Sequence, residues 1–305
     1  MQGPDEGAGG IPSELAGLWV YANGGYVSGS EPAVSVWDHG LLYGDGIFEG
    51  IRLYDGRIFK LDAHLDRLYQ SARFLRLEVP VDKTALRDII VEVVRRNGLR
   101  NAHIRPIVTR GVGGPALSHI HDCHPSLFVL AYPHPEPTRT TIRCMISTVR
   151  RKAPNSVDAR VKSLNYLDSI LARLQAYAAG YHDAIMLDQA GCVAEGTGAN
   201  LFLVSGGRLI TPTIEASLDG ITRRTLIDIA RSQGIEAVEG RVTPGDVYLA
   251  DELFFAGTGA DVTPIGEVDG RVIGDGGVGP ITATIASAYD EMKITGDVLD
   301  VYGSR

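Results

Sequence analysis

Leu61, Leu65, Leu68, Ala72 and Leu75 recur at gaps of four, three, four and three residues, the spacing that lines apolar side chains along one face of a helix. A second helix is predicted to start at Asp82, whose side chain can cap free N–H groups, with Leu86, Ile89, Ile90, Val93 and Val94 facing inward and Gly98 as its stop. Residues 165–180 read as a third helix on Leu167, Ile170, Leu171 and Leu174, and residues 222–233, closed by Gly234, as a fourth. A last helix follows Pro280.

Between these helices lie apolar segments too short for a helix, split by turn dipeptides. Asn23-Gly24 separates LWVYA from YVSG, Asp55-Gly56 separates IFEGIRLY from RIFKL, Gly206-Gly207 separates NLFLV from RLITP, and Asp269-Gly270 separates TPIGEV from RVIG. Dipeptides that tolerate positive φ at both positions mark two-residue hairpins. Further strand-like runs are AHIRPIVT and SLFVLAY early in the chain and TIRCMISTV, DAIMLD and ELFFAG later. The pattern predicts an α/β (α+β) fold with largely antiparallel sheets in both halves.

The chain of 305 residues exceeds one average domain of ~100–200 residues, so two are expected. Pro-rich AYPHPEPT disfavours both helix and inner strand and marks the boundary. The expected division is a disordered N-terminus at 1–16, a smaller α/β domain at 17–132, a linker at 133–139 and a larger domain at 140–305. Net charge is −8 and pI about 5.5, which repels nucleic acid and anionic lipid. No apolar run approaches the ~18 residues of a membrane-spanning helix, and the start MQGPDEGAGG lacks an export signal, so a cytoplasmic protein is expected. Cys123, Cys144 and Cys192 form no CxxC motif, which fits a reducing compartment.

Lys162, in VKSLNYLDS, stands at the junction between an extended stretch and a helix. A lone lysine there is ordinarily a solvated surface residue. Its company changes the picture: Tyr166 lies four residues on, and Glu195 precedes a glycine turn that feeds a strand. An amine that forms a Schiff base needs a fixed approach, and a pyridine-ring cofactor needs a carboxylate at its nitrogen to act as an electron sink. Asp219-Gly220-Ile221-Thr222 leads into a helix, whose free N–H groups and dipole suit an anion. Read locally, Thr222 is an ordinary N-cap. Gly257-Thr258-Gly259-Ala260 after ELFFA offers a second set of backbone donors, and Arg67 a guanidinium; each has an ordinary alternative as a strand-end turn or a solvent-facing charge.

The ordered segments YGDGIFEGIR, HLDRL, IRPIVTRGVG, APN with VKSLNYL, AEGTGANLF, DGITR and ADELFFAGTGADVTPI together resemble the fold-type IV pyridoxal-phosphate enzymes, most closely the branched-chain amino acid aminotransferases. The resemblance covers roughly residues 17–290. It implies two mixed domains, the second binding the cofactor, with the active site at their interface, and a homodimer or larger homo-oligomer. It implies that Lys162 holds pyridoxal 5'-phosphate as an internal aldimine and shuttles a proton, that Glu195 pairs with the pyridine nitrogen, and that Tyr166 bonds the phenolic oxygen. Arg67, Ile221, Thr222 and Thr258 would hold the phosphate. Tyr43, Phe48 and Gly50 would shape the substrate pocket, Tyr43 reaching in from a second subunit. Arg105, with the Thr258-Gly259 backbone, would take substrate carboxylates. The implied reaction is ping-pong transfer from a branched-chain or similar apolar L-amino acid to 2-oxoglutarate.

The pattern departs from the family in three places. His103 stands where branched-chain enzymes usually carry a tyrosine that helps bind the α-carboxylate, so it is a candidate substrate contact. Ala199 replaces a usual acidic residue, read as neutral drift. In ALSHIHDCHPS, His119, His121, Cys123 and His124 are a dense set of soft-metal ligands, and alternation would put the first three on one face of an extended segment. A loop without metal is preferred there. Alternatives within the fold are D-amino acid or (R)-amine transaminases, aminodeoxychorismate lyase, or a pathway-specific transaminase; from another class, a metal-binding module built on the histidine loop. Scattered glycines form no strand–GxGxxG–helix unit, which excludes a dinucleotide-binding module.

Overall fold

A computed structural model of the chain describes residues 12–31, 34–135 and 139–303. It divides into two compact units, the first Met1–Glu136 with Lys162–Asn165 and Ile294–Arg305, the second Pro137–Val161 with Tyr166–Lys293. The division falls between residues 136 and 137, inside the expected linker, of which 136–138 lie outside the described residues. Residues 162–165 and 294–305, expected in the second domain, lie instead with the first. Of the N-terminus expected to be disordered, residues 1–11 lie outside the described residues, and Ser13–Ala16 is a helical turn, α1.

The first unit contains β1 (Trp19–Ala22), β2 (Gly25–Ser28), α2 (His39–Tyr43), β3 (Gly46–Phe48), β4 (Ile51–Tyr54), β5 (Arg57–Phe59), α3 (Leu61–Leu75), α4 (Lys83–Arg96), β6 (Ala102–Val112) and β7 (His124–Pro133). A final strand, β17 (Val298–Asp300), pairs with β5. Their sheet runs β17-β5-β4-β6-β7-β1-β2 with β3 also on β6, all pairs antiparallel. IFEGIRLY, expected as one strand, is two: the chain breaks at Glu49-Gly50, where the Glu49 side chain turns into the interior. Helix α3 has the predicted bounds. Helix α4 is capped by Asp82, whose carboxylate accepts from Ala85 N at 2.8 Å. Leu65, Leu68, Leu86, Ile90, Val93 and Val94 are fully buried with Ile51, Leu53, Ile104 and Val129 of the sheet.

The second unit contains β8 (Ile142–Arg150), α5 (Leu167–Ala178), β9 (Asp183–Leu187), β10 (Val193–Gly196), β11 (Asn200–Ser205), β12 (Arg208–Pro212), α6 (Ile221–Ser232), β13 (Ala237–Gly240), α7 (Pro244–Tyr248), β14 (Glu252–Gly257), β15 (Asp261–Val268), β16 (Arg271–Val272) and α8 (Pro280–Thr295). Its sheet runs β10-β9-β8-β15-β14-β11-β12-β13 with β16 on β15. Pairs β8/β9, β8/β15 and β12/β13 are parallel and the rest antiparallel. Leu201, Leu203, Leu253, Phe255, Ile265 and Val268 share its core. The four turn dipeptides all sit at hairpins with φ between 43° and 100° at each position. Helix α5 buries Ser169, Ala172 and Ala176 and leaves Leu167, Ile170, Leu171 and Leu174 exposed. Small residues let that helix lie close on β8 and β9, so the large apolar stripe points away from this chain's own core. No helix of the described residues is long and apolar enough to cross a membrane.

Candidate active site

Lys162 is placed by backbone pairing. Residues 162–164 run extended against β3, with Phe48 N donating to Lys162 O at 3.0 Å and Leu164 N donating to Gly46 O at 2.9 Å. Ser71 Oγ of α3 accepts from Lys162 N at 3.3 Å, and Asn165 Nδ2 donates to Gly44 O at 3.0 Å. The half-buried Lys162 amine lies 4.6 Å from the centre of the Phe48 ring, and the Arg105 guanidinium 5.2 Å from the same ring. Two cations therefore lie beside Phe48, and their summed positive charge favours an anion nearby.

His103 completes this cluster. It pairs across the sheet with Arg52 on one side and Tyr132 on the other, stacking on Tyr132 at 5.4 Å. Gly50 permits the fit: a Cβ there would sit 3.0 Å from the imidazole. Burial, reinforced by Arg105, His134, Arg52 and Lys162, pushes the His103 imidazole down to about 3, so it is neutral near pH 7. His103 Nε2 and Arg105 Nε are both buried without a hydrogen-bond partner among the described residues. Buried polar nitrogens left unpaired cost about 1–3 kcal/mol each, so they mark a place where a hydrogen-bonding partner is due. No carboxylate among the described residues pairs with Arg105, so its charge is not taken up by a buried salt bridge.

Arg67 does not face solvent. It is 7% exposed and donates from Nε and Nη2 to Glu49 at 2.7 and 2.9 Å, while His64 Nδ1 lies 2.9 Å from the same carboxylate. Burial alone would raise Glu49, but Arg67 and His64 hold it well below the usual carboxylate range. Tyr43 is exposed on α2 and donates to Pro115 O, and His39 bonds Gly114 O at 2.8 Å, tying α2 to the loop before β7.

In the second unit Glu195 of β10 is 5% exposed. Its Oε1 accepts from Arg151 at 2.6 Å, and its Oε2 accepts from Asn200 Nδ2 at 3.3 Å and Leu218 N at 3.2 Å. Asn200 also donates to Leu218 O at 2.8 Å, which fixes the approach to α6. That helix begins at Gly220 with no side-chain cap, so the N–H groups of its first turn, including those of Ile221 and Thr222, lack a capping side chain, the arrangement that suits an anion. Thr222 is buried and does not act as the N-cap. Tyr166 is the N-cap residue of α5, and the Lys152 amine lies 5.8 Å from its ring centre. Thr258 and Gly259 form the turn between β14 and β15, where a Cβ on Gly259 would meet nothing within 4 Å. Ala199 is buried in the core.

The structure thus gathers Lys162, Phe48, Gly50, His103 and Arg105 in the first unit, and Glu195 with the start of α6 in the second. Sequence reasoning missed Glu49, His64, Arg151 and Asn200. Glu49 was visible as a lone charge in the apolar run IFEGI; the others gave no comparable signal. The histidine loop does not alternate as an extended segment would: Leu117–His119 is a tight helical turn, His119 pairs with Asp122 at 3.2 Å, and His124 opens β7. Among the described residues no three His, Cys, Asp or Glu side chains are grouped to hold a metal ion.

One antiparallel and one mixed sheet, an amine beside unpaired buried nitrogens, and a buried carboxylate near an uncapped helix start define a class, and the chain belongs to it: residues 46–268 match the family of class IV aminotransferases. A Methanocaldococcus jannaschii protein with the provisional name branched-chain-amino-acid aminotransferase is 46% identical over 276 residues, 90% of this chain and 96% of that one. The branched-chain-amino-acid aminotransferase of Pseudomonas aeruginosa is 39% identical over 282 residues, 90% of this chain and 92% of its own. Among solved structures, the branched-chain amino acid aminotransferase of Thermobaculum terrenum in its PLP form superposes with a TM-score of 0.89 at 31% identity, covering 95% of this chain and all of that one.

Proposed function

We propose that this protein is a branched-chain-type aminotransferase that passes the amino group of a branched-chain or similar apolar L-amino acid to 2-oxoglutarate. Dependence on pyridoxal 5'-phosphate follows from its family, and the residues present fit that group. A buried carboxylate suits a ring nitrogen, the uncapped start of α6 suits a phosphate, and the half-buried amine beside Phe48 suits an aldehyde. When bound, the cofactor supplies an electron sink conjugated to the substrate carbon that bears nitrogen.

Lys162 would hold the cofactor, and its free amine would take the proton from substrate Cα as general base. Glu195 keeps negative charge at the ring nitrogen, and Tyr166 donates to the phenolic oxygen. For the phosphate the reading takes Arg67, oriented by Glu49, the backbone N–H groups of Ile221 and Thr222, and the Thr258 hydroxyl. For substrate carboxylates the reading takes His103 Nε2 and Arg105, and the backbone donors of Thr258 and Gly259. Tyr43, Phe48 and Gly50 shape the space for the side chain. Two half-reactions in turn at one site predict ping-pong kinetics. The reading includes a cytoplasmic homodimer, supported by the exposed apolar stripe on α5.

The observation that carries this reading is the Lys162 amine and the Arg105 guanidinium sharing one aromatic ring beside the unpaired Nε2 of His103. A panel of L- and D-amino acids and an (R)-amine, each assayed for transfer to 2-oxoglutarate, tests the substrate. Turnover of leucine, isoleucine and valine is expected; exclusive turnover of D-alanine or of the (R)-amine refutes it. Purified protein should be yellow, and Lys162→Ala should abolish that colour and cut turnover by roughly 10²–10⁴-fold or more.

A further inference from the structure

Arg151, just past β8, is 6% exposed and lies at the centre of a buried charge cluster. Its Nη2 donates to Glu195 Oε1 at 2.6 Å; its Nη1 donates to Asp168 Oδ2 at 2.9 Å and Ser169 Oγ at 3.2 Å. Its own backbone is pinned at both ends, N donating to Leu187 O at 2.9 Å and O accepting from Gln189 Nε2 at 2.8 Å. Asp168 and Ser169 stand in the first turn of α5, immediately after Tyr166. One guanidinium therefore ties the strand that carries Glu195 to the helix start that carries Tyr166. The bond to Oε1 is far shorter than the contacts of 3.2 and 3.3 Å at Oε2, as expected for a charge-assisted pair.

We propose that Arg151 is a positioning residue for Glu195: it fixes the carboxylate and draws enough charge from it that a proton shared with a bound pyridine nitrogen stays on the nitrogen. This rests on the reading that Glu195 meets that nitrogen. A carboxylate already bonded to a guanidinium holds a proton poorly, so its partner keeps it. Without Arg151, Glu195 becomes the better base and the ring loses its positive charge. The other titratable groups facing the cluster are Asp168 on α5, Tyr166 at its cap, and Lys152 beside Arg151 with its amine over the Tyr166 ring.

The test reads the pH midpoint of the cofactor's visible absorption in the holoenzyme. A charged ring nitrogen depresses that midpoint, so Arg151→Gln should raise it by about one unit or more, and Glu195→Gln should move it in the same direction. Arg151→Lys, which keeps a cation but reaches only one carboxylate, should move it by less than half as much. If Glu195→Gln shifts the midpoint and Arg151→Gln does not, the role given to Arg151 is overturned while the reading of Glu195 stands. If Glu195→Gln leaves it unmoved, that underlying reading fails and takes the proposal with it. Should Arg151→Gln not fold, Arg151→Met combined with Asp168→Leu replaces the buried clamp by apolar volume, and the same rise is required. A purely structural role predicts lower melting temperatures with no change of midpoint.

Discussion

His103 should make the protein sensitive to mild acid, and the size of the effect can be worked out. In the folded chain its imidazole is held down to about 3, by burial first and by the neighbouring Arg105, His134, Arg52 and Lys162 second; unfolded, it titrates near ~6.5. Below about 6.5 the unfolded chain therefore binds a proton that the folded chain refuses, so stability falls as pH falls and continues to fall towards the folded value. At pH 5 the cost is about 2 kcal/mol, and at pH 7.5 it is below ~0.1 kcal/mol. His103→Phe keeps the ring that stacks on Tyr132 and removes the titration. Urea denaturation of both proteins at pH 7.5, 6.5 and 5.0 gives the difference directly, since His64 and the carboxylates titrate alike in each. The variant should gain about 2 kcal/mol on wild type between pH 7.5 and 5.0. Parallel pH profiles would falsify the assignment of a neutral, buried imidazole at position 103.

Glu49→Gln leaves Arg67 and His64 buried beside an uncharged partner and should cost about 3–5 kcal/mol, read as a lowered denaturation midpoint together with weaker cofactor retention on dialysis; an unchanged midpoint contradicts the ion-pair geometry. Asp82→Ala removes the cap of α4 and should cost about 1 kcal/mol, with steady-state kinetics unaltered, so a change in kcat would show that α4 bears on the site. If the proposed homodimer packs through α5, Leu174→Asp on its exposed face should leave secondary structure intact and yield a monomer in light scattering where the wild type is a dimer; a variant that stays dimeric contradicts that interface.

Much of the fold could be read locally because its punctuation is chemical. Asn23-Gly24 and Asp55-Gly56 favour the left-handed backbone that a tight hairpin demands, and Asp82 and Gly98 bound α4 by hydrogen-bonding rules that need no tertiary context. What was illegible depends on distant partners. Residues 298–300 pair with β5 across more than two hundred positions, and no local pattern assigns Lys162 to β3. Helix α5 was visible by period, but its leucines face outward because Ala172 and Ala176 make the closer fit to the sheet. In the site, Lys162, Tyr166 and Glu195 belonged to recognisable segments. Arg151 lay outside them, and Asn200 stood unremarked within AEGTGANLF, because a side chain that works by orienting another is not marked by its own chemistry.

Asn200 gives one further consequence. Its amide nitrogen steadies Glu195 and Leu218, and its oxygen lies so near Gly220 that any Cβ there would collide with it. A single asparagine thus couples a carboxylate on one strand to the opening turn of α6. The constraint runs from 220 to 200: an alanine at 220 would push the amide aside and disturb both ends of the coupling at once, so a larger residue at 220 should require a smaller one at 200.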